Sequence, residues 1–284
     1  MARDRSEYQV YFHVGLGKAA STYLQNRVFP VLRGIRYIPR DRYRRYPAVI
    51  ERTSDNRYLI SREAAYRLDQ RLDEFAAFKT DAQVILVLRR HDRWIASHYR
   101  RYIKNGGSLA FERYLDLDGN KPLIWGAHQI RFMTMIEAIE KRFNSRPLVL
   151  FHEELKTDPF TLIDKLCAFT GAHYHREQID LSVVHSSWDD KQLKVARQVG
   201  KHLFREVPRA PSHPTVNRVQ RRLQLWTCYG ILGLAQLVPA RLVNSAPLIN
   251  PQSLARVRET FTDDWLACHE YAQTHNPSPT PLKR

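Results

Sequence analysis

Cysteine is scarce in this chain of 284 residues, and no apolar stretch long enough for a leader peptide opens it. Cys167, Cys228 and Cys268 stand far apart and form no C-x-x-C pair. This spacing argues against a disulfide framework and a zinc site, and favours a reducing, cytoplasmic compartment. The polar start of the chain lacks the apolar core of a signal peptide, which argues against export by that route.

Acidic residues are also few relative to basic ones. The chain has 29 Asp and Glu against 45 Lys and Arg, which gives a formal net charge of +16. Such an excess predicts an anionic partner, and a nucleotide, an acidic glycan, an anionic lipid and a nucleic acid all satisfy it. Charge alone does not choose among them.

The most informative motif is the segment at residues 15–22, which reads G-L-G-K-A-A-S-T. It follows an apolar run at 8–14 and precedes a helical pattern, as a phosphate-binding loop does. Glycine lets the backbone approach an anion, Lys18 adds a positive charge, and a helix beginning near Ala20 presents its unpaired N–H groups and positive dipole end. We expect a nucleotide phosphate here.

The spacing in this loop differs from two common nucleotide loops. A Walker A loop reads G-x-x-x-x-G-K-[ST], whereas this segment reads G-x-x-K-x-x-S-T. The third glycine of a dinucleotide loop would fall at Ala20. A nucleotide kinase is therefore a disfavoured alternative, because a convincing Walker B acid is missing as well.

The periodicity of apolar residues predicts an α/β fold with a doubly wound parallel sheet of about five strands and a P-loop-like site. We expect a single domain at 1–284, with an α/β core at 1–180 and a C-terminal helical extension at 181–284. The predicted strands are 8–14, 35–38, 58–60, 84–88 and 148–151. The predicted helices of the core are 23–32, 64–78, 93–103, 128–143 and 160–169.

A second candidate anion site follows the strand predicted at 84–88. Arg89 leaves this strand, and Ser97 lies about one turn into the next helix, for which Asp92 is a candidate cap. A guanidinium fork pairs two oxygens of an anion, and a hydroxyl donates a further hydrogen bond. Two anion sites at the ends of neighbouring strands suit a nucleotide that is phosphorylated at two positions.

These motifs resemble those of the sulfotransferases that use 3′-phosphoadenosine 5′-phosphosulfate (PAPS). In that family a G-x-P-K-x-[GA]-[ST]-[ST] loop holds the 5′-phosphosulfate, and an Arg with a Ser eight positions later holds the 3′-phosphate. The stretch at 148–159, L-V-L-F-H-E-E-L-K-T-D-P, is similar to the family's strand followed by E-x-L-x-x-D-P. Gly17 replaces the usual Pro, and the adenine-side R-K-G segment of the cytosolic branch is absent. The residues that the resemblance assigns to the donor are Gly15, Gly17, Lys18, Ala20, Ser21, Thr22, Arg89 and Ser97.

The resemblance implies transfer of a sulfuryl group from PAPS to a hydroxyl or amine of a glycan, glycolipid or small metabolite. Positioning and charge neutralisation should dominate such a transfer, with Lys18 on the leaving-group side and no metal needed. The candidate base is Glu63, with Asp41, just past the second strand, as the alternative. Glu63 also fits as a first-turn acid of the predicted helix 64–78. His98 points about 100° away from Ser97 on a helix, and His13 fits a buried structural histidine.

The region after residue 180 is less informative. H-S-S at 185–187 precedes a helix predicted at 189–204, and Pro208, Pro211 and Pro214 indicate a linker. The uncharged stretch at 223–240 is short for a membrane span and predicts a core or acceptor-pocket helix. The alternative is peripheral docking on the inner face of a membrane, with Trp226 at the boundary. The arginines expected on anionic headgroups are Arg218, Arg221, Arg222 and Arg241.

A nucleic-acid-binding protein is the alternative from another functional class. The basic run R-D-R-Y-R-R-Y at 40–46 suggests it. The chain has no recognition-helix, zinc-finger or RNP motif, so no nucleic-acid partner is expected.

Overall fold

The computed structural model describes residues 7–64, 67–119, 122–182, 188–204 and 214–278, with the side chains of 214–218 excluded. The described residues fall into two compact units. The first unit is drawn from 1–90, 131–184 and 262–284, and the second from 91–130 and 185–261. His185 to Ser187, Pro208 and Pro211 lie outside the described residues.

The first unit is built on a five-stranded parallel sheet. Its strand order is β2-β3-β1-β4-β7, and each neighbouring pair is parallel. A separate parallel pair, β5 with β6, belongs to the second unit. This sheet confirms the predicted α/β fold. Among the described residues the strands are β1 (Gln9–Gly15), β2 (Arg36–Ile38), β3 (Arg57–Glu63), β4 (Gln83–Leu88), β5 (Leu115–Asp116), β6 (Trp125–Gly126) and β7 (Leu148–Phe151).

Helices surround these strands in an alternating order. Short 3-10 or π segments stand at Leu24–Val28, Phe29–Val31, Arg40–Arg45, Ala127–Ile130, Arg176–Gln178 and Ala240–Leu242. Among the described residues the α-helices are α1 (Ser21–Tyr23), α2 (Tyr46–Arg52), α3 (Leu68–Phe78), α4 (His91–Lys104), α5 (Phe111–Tyr114), α6 (Phe132–Glu140), α7 (Glu154–Thr157), α8 (Pro159–Thr170), α9 (Asp190–Leu203), α10 (Pro214–Leu234), α11 (Pro251–Thr260) and α12 (Thr262–His275).

The sheet register positions the loop. Gly15, the last residue of β1, pairs with Glu63 of β3 on one side and with Val87 of β4 on the other. The carboxyl ends of these three strands therefore meet at one edge of the sheet. One face of β1 packs against α3, where Phe12 and Phe75 stack with ring centroids 3.8 Å apart.

Three predicted helices of the core differ by more than two residues from the bounds in the structure. The helix predicted at 23–32 begins earlier as α1 and continues as a π segment and a 3-10 turn. The helix predicted from 64 begins only at Leu68, because β3 extends its pairing with β1 as far as Glu63. The helix predicted at 128–143 is a 3-10 turn followed by α6. Helices α2, α5, α7, α11 and α12 were not predicted.

The last helix packs on the sheet of the first unit. The side chain of Asn276, just past α12, accepts from the Val149 N–H at 3.1 Å and donates to the Val149 carbonyl at 2.6 Å. Asp264 is buried and accepts the N–H groups of Phe132 and Met133 at the start of α6. Residues far apart in sequence therefore close this unit, and the expected single domain with a boundary near 180 stays a prediction.

The second unit is mainly helical. A capping box at Asp189 and Gln192 begins α9, and the Gln192 amide donates to the Leu232 carbonyl of α10 at 3.1 Å. Arg100 of α4 pairs with Asp190 of α9. In the part of the chain that the structure describes, no helix is both long and apolar enough to cross a bilayer.

Candidate active site

The loop between β1 and α1 has an unusual backbone. Lys18 and Ala20 adopt positive φ angles of 72° and 64°, which side-chain-bearing residues rarely do. Ala19 between them is buried, as is Leu16, whereas the Lys18 side chain is exposed. Left-handed residues that alternate with other conformations occur in anion-binding nests, and in this loop the Ala19 N–H donates to the Leu16 carbonyl at 3.2 Å. Backbone strain of this kind is typical of ligand sites.

Ser21 and Gly15 shape this loop from inside. The buried Ser21 hydroxyl donates to the Leu16 carbonyl at 3.2 Å and so closes the loop on itself. A Cβ added at Gly15 would lie 2.6 Å from the Ser21 Oγ. A larger residue at this position would therefore have to displace the Ser21 hydroxyl from its place in the loop. At the start of α1, Ala20 supplies no side-chain cap, so the first N–H groups of the helix have no such capping partner.

Arg89 lies beside the loop. It follows β4, the neighbour of β1, and its Nη1 donates to the Lys18 carbonyl at 3.1 Å. One of the five donors of the guanidinium thus binds the loop. The contact places the Arg89 guanidinium next to the backbone of Lys18.

Glu153, from the motif at 148–159, holds the segment after Arg89. Its Oε1 accepts the Arg90 N–H at 3.2 Å, and the backbone of His152 donates to the Leu88 carbonyl at 2.7 Å. Within the same motif, Asp158 caps α8 by accepting the Phe160 N–H at 3.0 Å. The motif therefore fixes the end of β4 and with it the start of the Arg89 side chain.

The two candidate bases differ in their distance from the loop. Glu63 is half-buried and ends β3 opposite Gly15, and the next residue, Ala64, extends the pairing by donating to the Gly15 carbonyl at 3.0 Å. Asp41 is exposed and follows β2, one strand further out. Glu63 lies in a strand, so the expectation of a first-turn helix acid is wrong.

A buried polar cluster lies beneath the loop. The His13 Nδ1 is 2.7 Å from the Ser61 Oγ, and the Gln25 amide donates to the same oxygen at 2.8 Å. Burial lowers the pKa of His13 to about 3, so its imidazole is neutral at physiological pH. A neutral, buried ring agrees with a structural role for His13.

Ser97 and His98 belong to α4 in the second unit. Ser97 is half-buried, and its sharing of an anion with Arg89 stays a prediction. His98 is buried, with its ring centroid 4.3 Å from that of Trp94 and 5.9 Å from that of Trp125. Asp92 lies in the first turn of α4 and accepts from Arg258 at 3.1 Å.

Two site-adjacent residues were not found by sequence reasoning. Arg62 of β3 lies with its guanidinium 5.1 Å from the Tyr43 ring centroid, and its Nε is buried without a hydrogen-bond partner among the described residues. Burial, followed by the nearby cations Arg71 and Arg40, lowers the pKa of Arg62. Arg62 could have been found from the sequence, because it is a basic residue next to Glu63 at the end of an apolar strand. Gln25 gave none, because its contact with Ser61 is long-range.

A surface cleft of about 620 Å³ opens on the Gln25 side of the first unit. It lies between the helical segment after the loop and β2, and its wall includes Gln25, Phe29, Tyr37 and Pro39. Apolar rings together with a few polar groups are typical of a small-molecule site. Burial, followed by the Asp41 charge, raises the pKa of Tyr37 to about 12.

Comparison with known proteins identifies the class. The family model described as the sulfotransferase domain matches residues 42–206, more than half of the chain. The chain therefore belongs to the sulfotransferase family, and the predicted resemblance is confirmed. The matched range contains Glu63, Arg89 and Ser97, whereas the loop at 15–22 precedes it.

Two solved structures are also similar. A sulfotransferase from Alicyclobacillus acidocaldarius is 14% identical, with a TM-score of 0.48, and the match covers 85% of this chain and 99% of that chain. The mouse sulfotransferase SULT7A1 complexed with PAP is 12% identical, with a TM-score of 0.38, and the match covers 96% of this chain and 90% of that one. No curated protein matches at a significant level. The roles assigned to the site residues rest on none of these likenesses.

Proposed function

We propose that the protein transfers a sulfuryl group from PAPS to a hydroxyl or amine of a glycan, glycolipid or small metabolite. The observation that carries this proposal is the contact between Arg89 and the Lys18 carbonyl at 3.1 Å. It holds the Arg89 guanidinium, just after β4, against the backbone of Lys18 in the loop after the neighbouring strand β1, where the positive φ angles suit an anion-binding nest. Membership of the sulfotransferase family supplies the reaction class.

The donor would bind through both anion sites. The N–H groups of the loop and the Thr22 hydroxyl suit the 5′-phosphate, since they lie at the start of α1. Ser21 contributes through its backbone, because its hydroxyl is engaged by the Leu16 carbonyl. Arg89 and Ser97 are assigned to the 3′-phosphate by the resemblance, and Gly15 and Gly17 present no side chain to an approaching anion.

During the transfer, the acceptor oxygen loses its proton and the bridging oxygen of PAPS gains negative charge. The acceptor oxygen bonds to sulfur as the bond from sulfur to the bridging oxygen breaks, and the acceptor's proton passes to a base. Lys18 stabilises the negative charge that develops on the bridging oxygen, as preorganised cations do in related group transfers. Glu63 is the proposed base, because β3 places it opposite Gly15.

Binding of the product nucleotide, adenosine 3′,5′-bisphosphate, tests the donor site. We expect this nucleotide to raise the melting temperature of the whole protein and to bind by calorimetry. Lys18→Ala and Arg89→Ala should abolish the shift, whereas Arg52→Ala, which removes an exposed arginine of α2, should leave it unchanged. A wild-type protein that does not respond to the nucleotide would overturn the proposal.

The acceptor is then found by labelling. Incubation with ³⁵S-labelled PAPS and a cell extract should label one class of molecule, and the Lys18→Ala variant should label none. We place this activity in the cytoplasm, since all three cysteines are free and buried. Label in a lipid fraction, a polysaccharide or a small metabolite would each define the acceptor class.

A further inference from the structure

An exposed apolar stripe runs along α10 in the second unit. Its members follow helical spacing, so they share one face of the helix. The stripe consists of Val219, Leu223, Trp226, Leu234 and, just past the helix, Leu237, with exposed fractions of 58%, 63%, 79%, 67% and 80%.

The opposite face of α10 is packed. Cys228, Leu232 and Ala235 are buried, and the Gln224 amide donates to the Asn105 carbonyl at 3.0 Å. Helix α10 thus packs against α4 and α9, and this packing leaves the stripe outward. Between Trp226 and Leu237, a Cβ added at Gly230 or Gly233 would meet nothing within 4 Å. No described residue covers this part of the stripe.

The segment of the chain that carries the stripe has charges of one sign. In the sequence, no Asp or Glu occurs between Glu206 and Glu259. Arg221 and Arg222 are exposed near the start of the stripe, and Arg241 is exposed just beyond its end. Aromatic and aliphatic side chains flanked by arginines are typical of helices that lie in the headgroup region of an anionic bilayer.

We propose that the α10 stripe docks this protein on an anionic lipid bilayer, with the helix axis in the plane of the surface. A second copy of the chain fits less well, because a symmetric contact would bring the same arginines together without an acid from this segment. The helix does not insert across the bilayer, since its other face is packed on protein. The proposal is independent of donor binding, although it brings lipid-linked acceptors within reach.

Vesicle co-sedimentation of the whole protein tests the docking surface. We expect binding to vesicles of phosphatidylglycerol and phosphatidylcholine, little binding to phosphatidylcholine alone, and weakening by salt. The double variant Trp226→Ser/Leu237→Ser should bind about tenfold or more weakly, because it removes the two most exposed apolar side chains of the stripe. This variant retains every charge of the protein, so the difference isolates the apolar contribution.

Two controls keep the result interpretable. Leu266→Ser removes another exposed leucine, 59% exposed, from α12 in the first unit, and should bind vesicles like the wild type. The melting temperature and its shift with adenosine 3′,5′-bisphosphate should persist in the stripe variant, which separates failure of docking from failure of the proposed function. Equal vesicle binding by the stripe variant and wild type would overturn the proposal. So would a dimer in sedimentation velocity that the stripe variant dissociates, without vesicle binding by the wild type.

Discussion

The loop at 15–22 and the α10 stripe are built in opposite ways. In the loop, Leu16 and Ala19 are buried and the backbone is strained at Lys18 and Ala20, and we propose that this backbone binds the anion. On α10, the backbone groups are hydrogen-bonded within the helix, so a partner can contact only exposed side chains such as Trp226. A short loop such as 15–22 can therefore be found from local sequence. The exposed face of α10 can be identified only when the fold shows which of its residues are covered.

The largest expected effect comes from shortening one leucine on each face of α10. Leu232 is fully buried and Leu234, two residues later, is largely exposed. We expect Leu232→Ala to lower the free energy of unfolding by about 3 kcal/mol, and Leu234→Ala to change it by less than about 0.5 kcal/mol. Urea denaturation measures both. Similar losses from the two variants would contradict the assignment of faces.

Glu63 at the end of β3 and Asp41 after β2 are expected to differ in their effect on kcat. Glu63→Gln should lower kcat about 100-fold, because the base that accepts the acceptor's proton is lost. Asp41→Asn should change kcat less than about twofold, because Asp41 lies one strand further from the loop. Steady-state kinetics with the identified acceptor measure both values, and nucleotide binding should persist in each variant. The reverse ranking would make Asp41 the base.

The polar cluster beneath the loop predicts a pH dependence of stability. Burial keeps the folded-state pKa of His13 at about 3, below its unfolded value, so the unfolded chain binds the proton first as pH falls below about 6.5. This residue should therefore lower the stability by about 2 kcal/mol between pH 7 and pH 5. His13→Gln should show a correspondingly smaller loss over this range in denaturant titrations. An identical pH slope in both proteins would argue against a neutral, buried His13.

The smallest expected effect concerns backbone strain in the loop. Ala20 has a positive φ and Ala19 does not. Ala20→Gly should raise the free energy of unfolding by about 0.5 to 1 kcal/mol, because glycine adopts this conformation without a Cβ clash. Ala19→Gly is the matched control, and it should destabilise the buried part of the loop. Thermal melts distinguish the two, and a destabilised Ala20→Gly variant would show that the strain is absent.

Local sequence patterns were sufficient to predict the five-stranded sheet and the position of the loop. Strand β7 has the predicted bounds and β4 differs by one residue, because strands covered on both faces are written as continuous apolar runs. The loop could be placed because glycines, a lysine and hydroxyls stand in a local order between strand and helix.

Features that depend on residues distant in sequence became known from the three-dimensional structure. The extension of β3 to Glu63 follows from pairing with Gly15. The packing of α12 involves Asn276, which binds the backbone of β7, and Asp264, which binds the backbone of α6. The division of α10 into a packed and an exposed face depends on α4 and α9, which no local pattern specifies. The spacing of apolar residues shows which side chains could be buried. Whether a helix face is buried depends on the helices that pack against it.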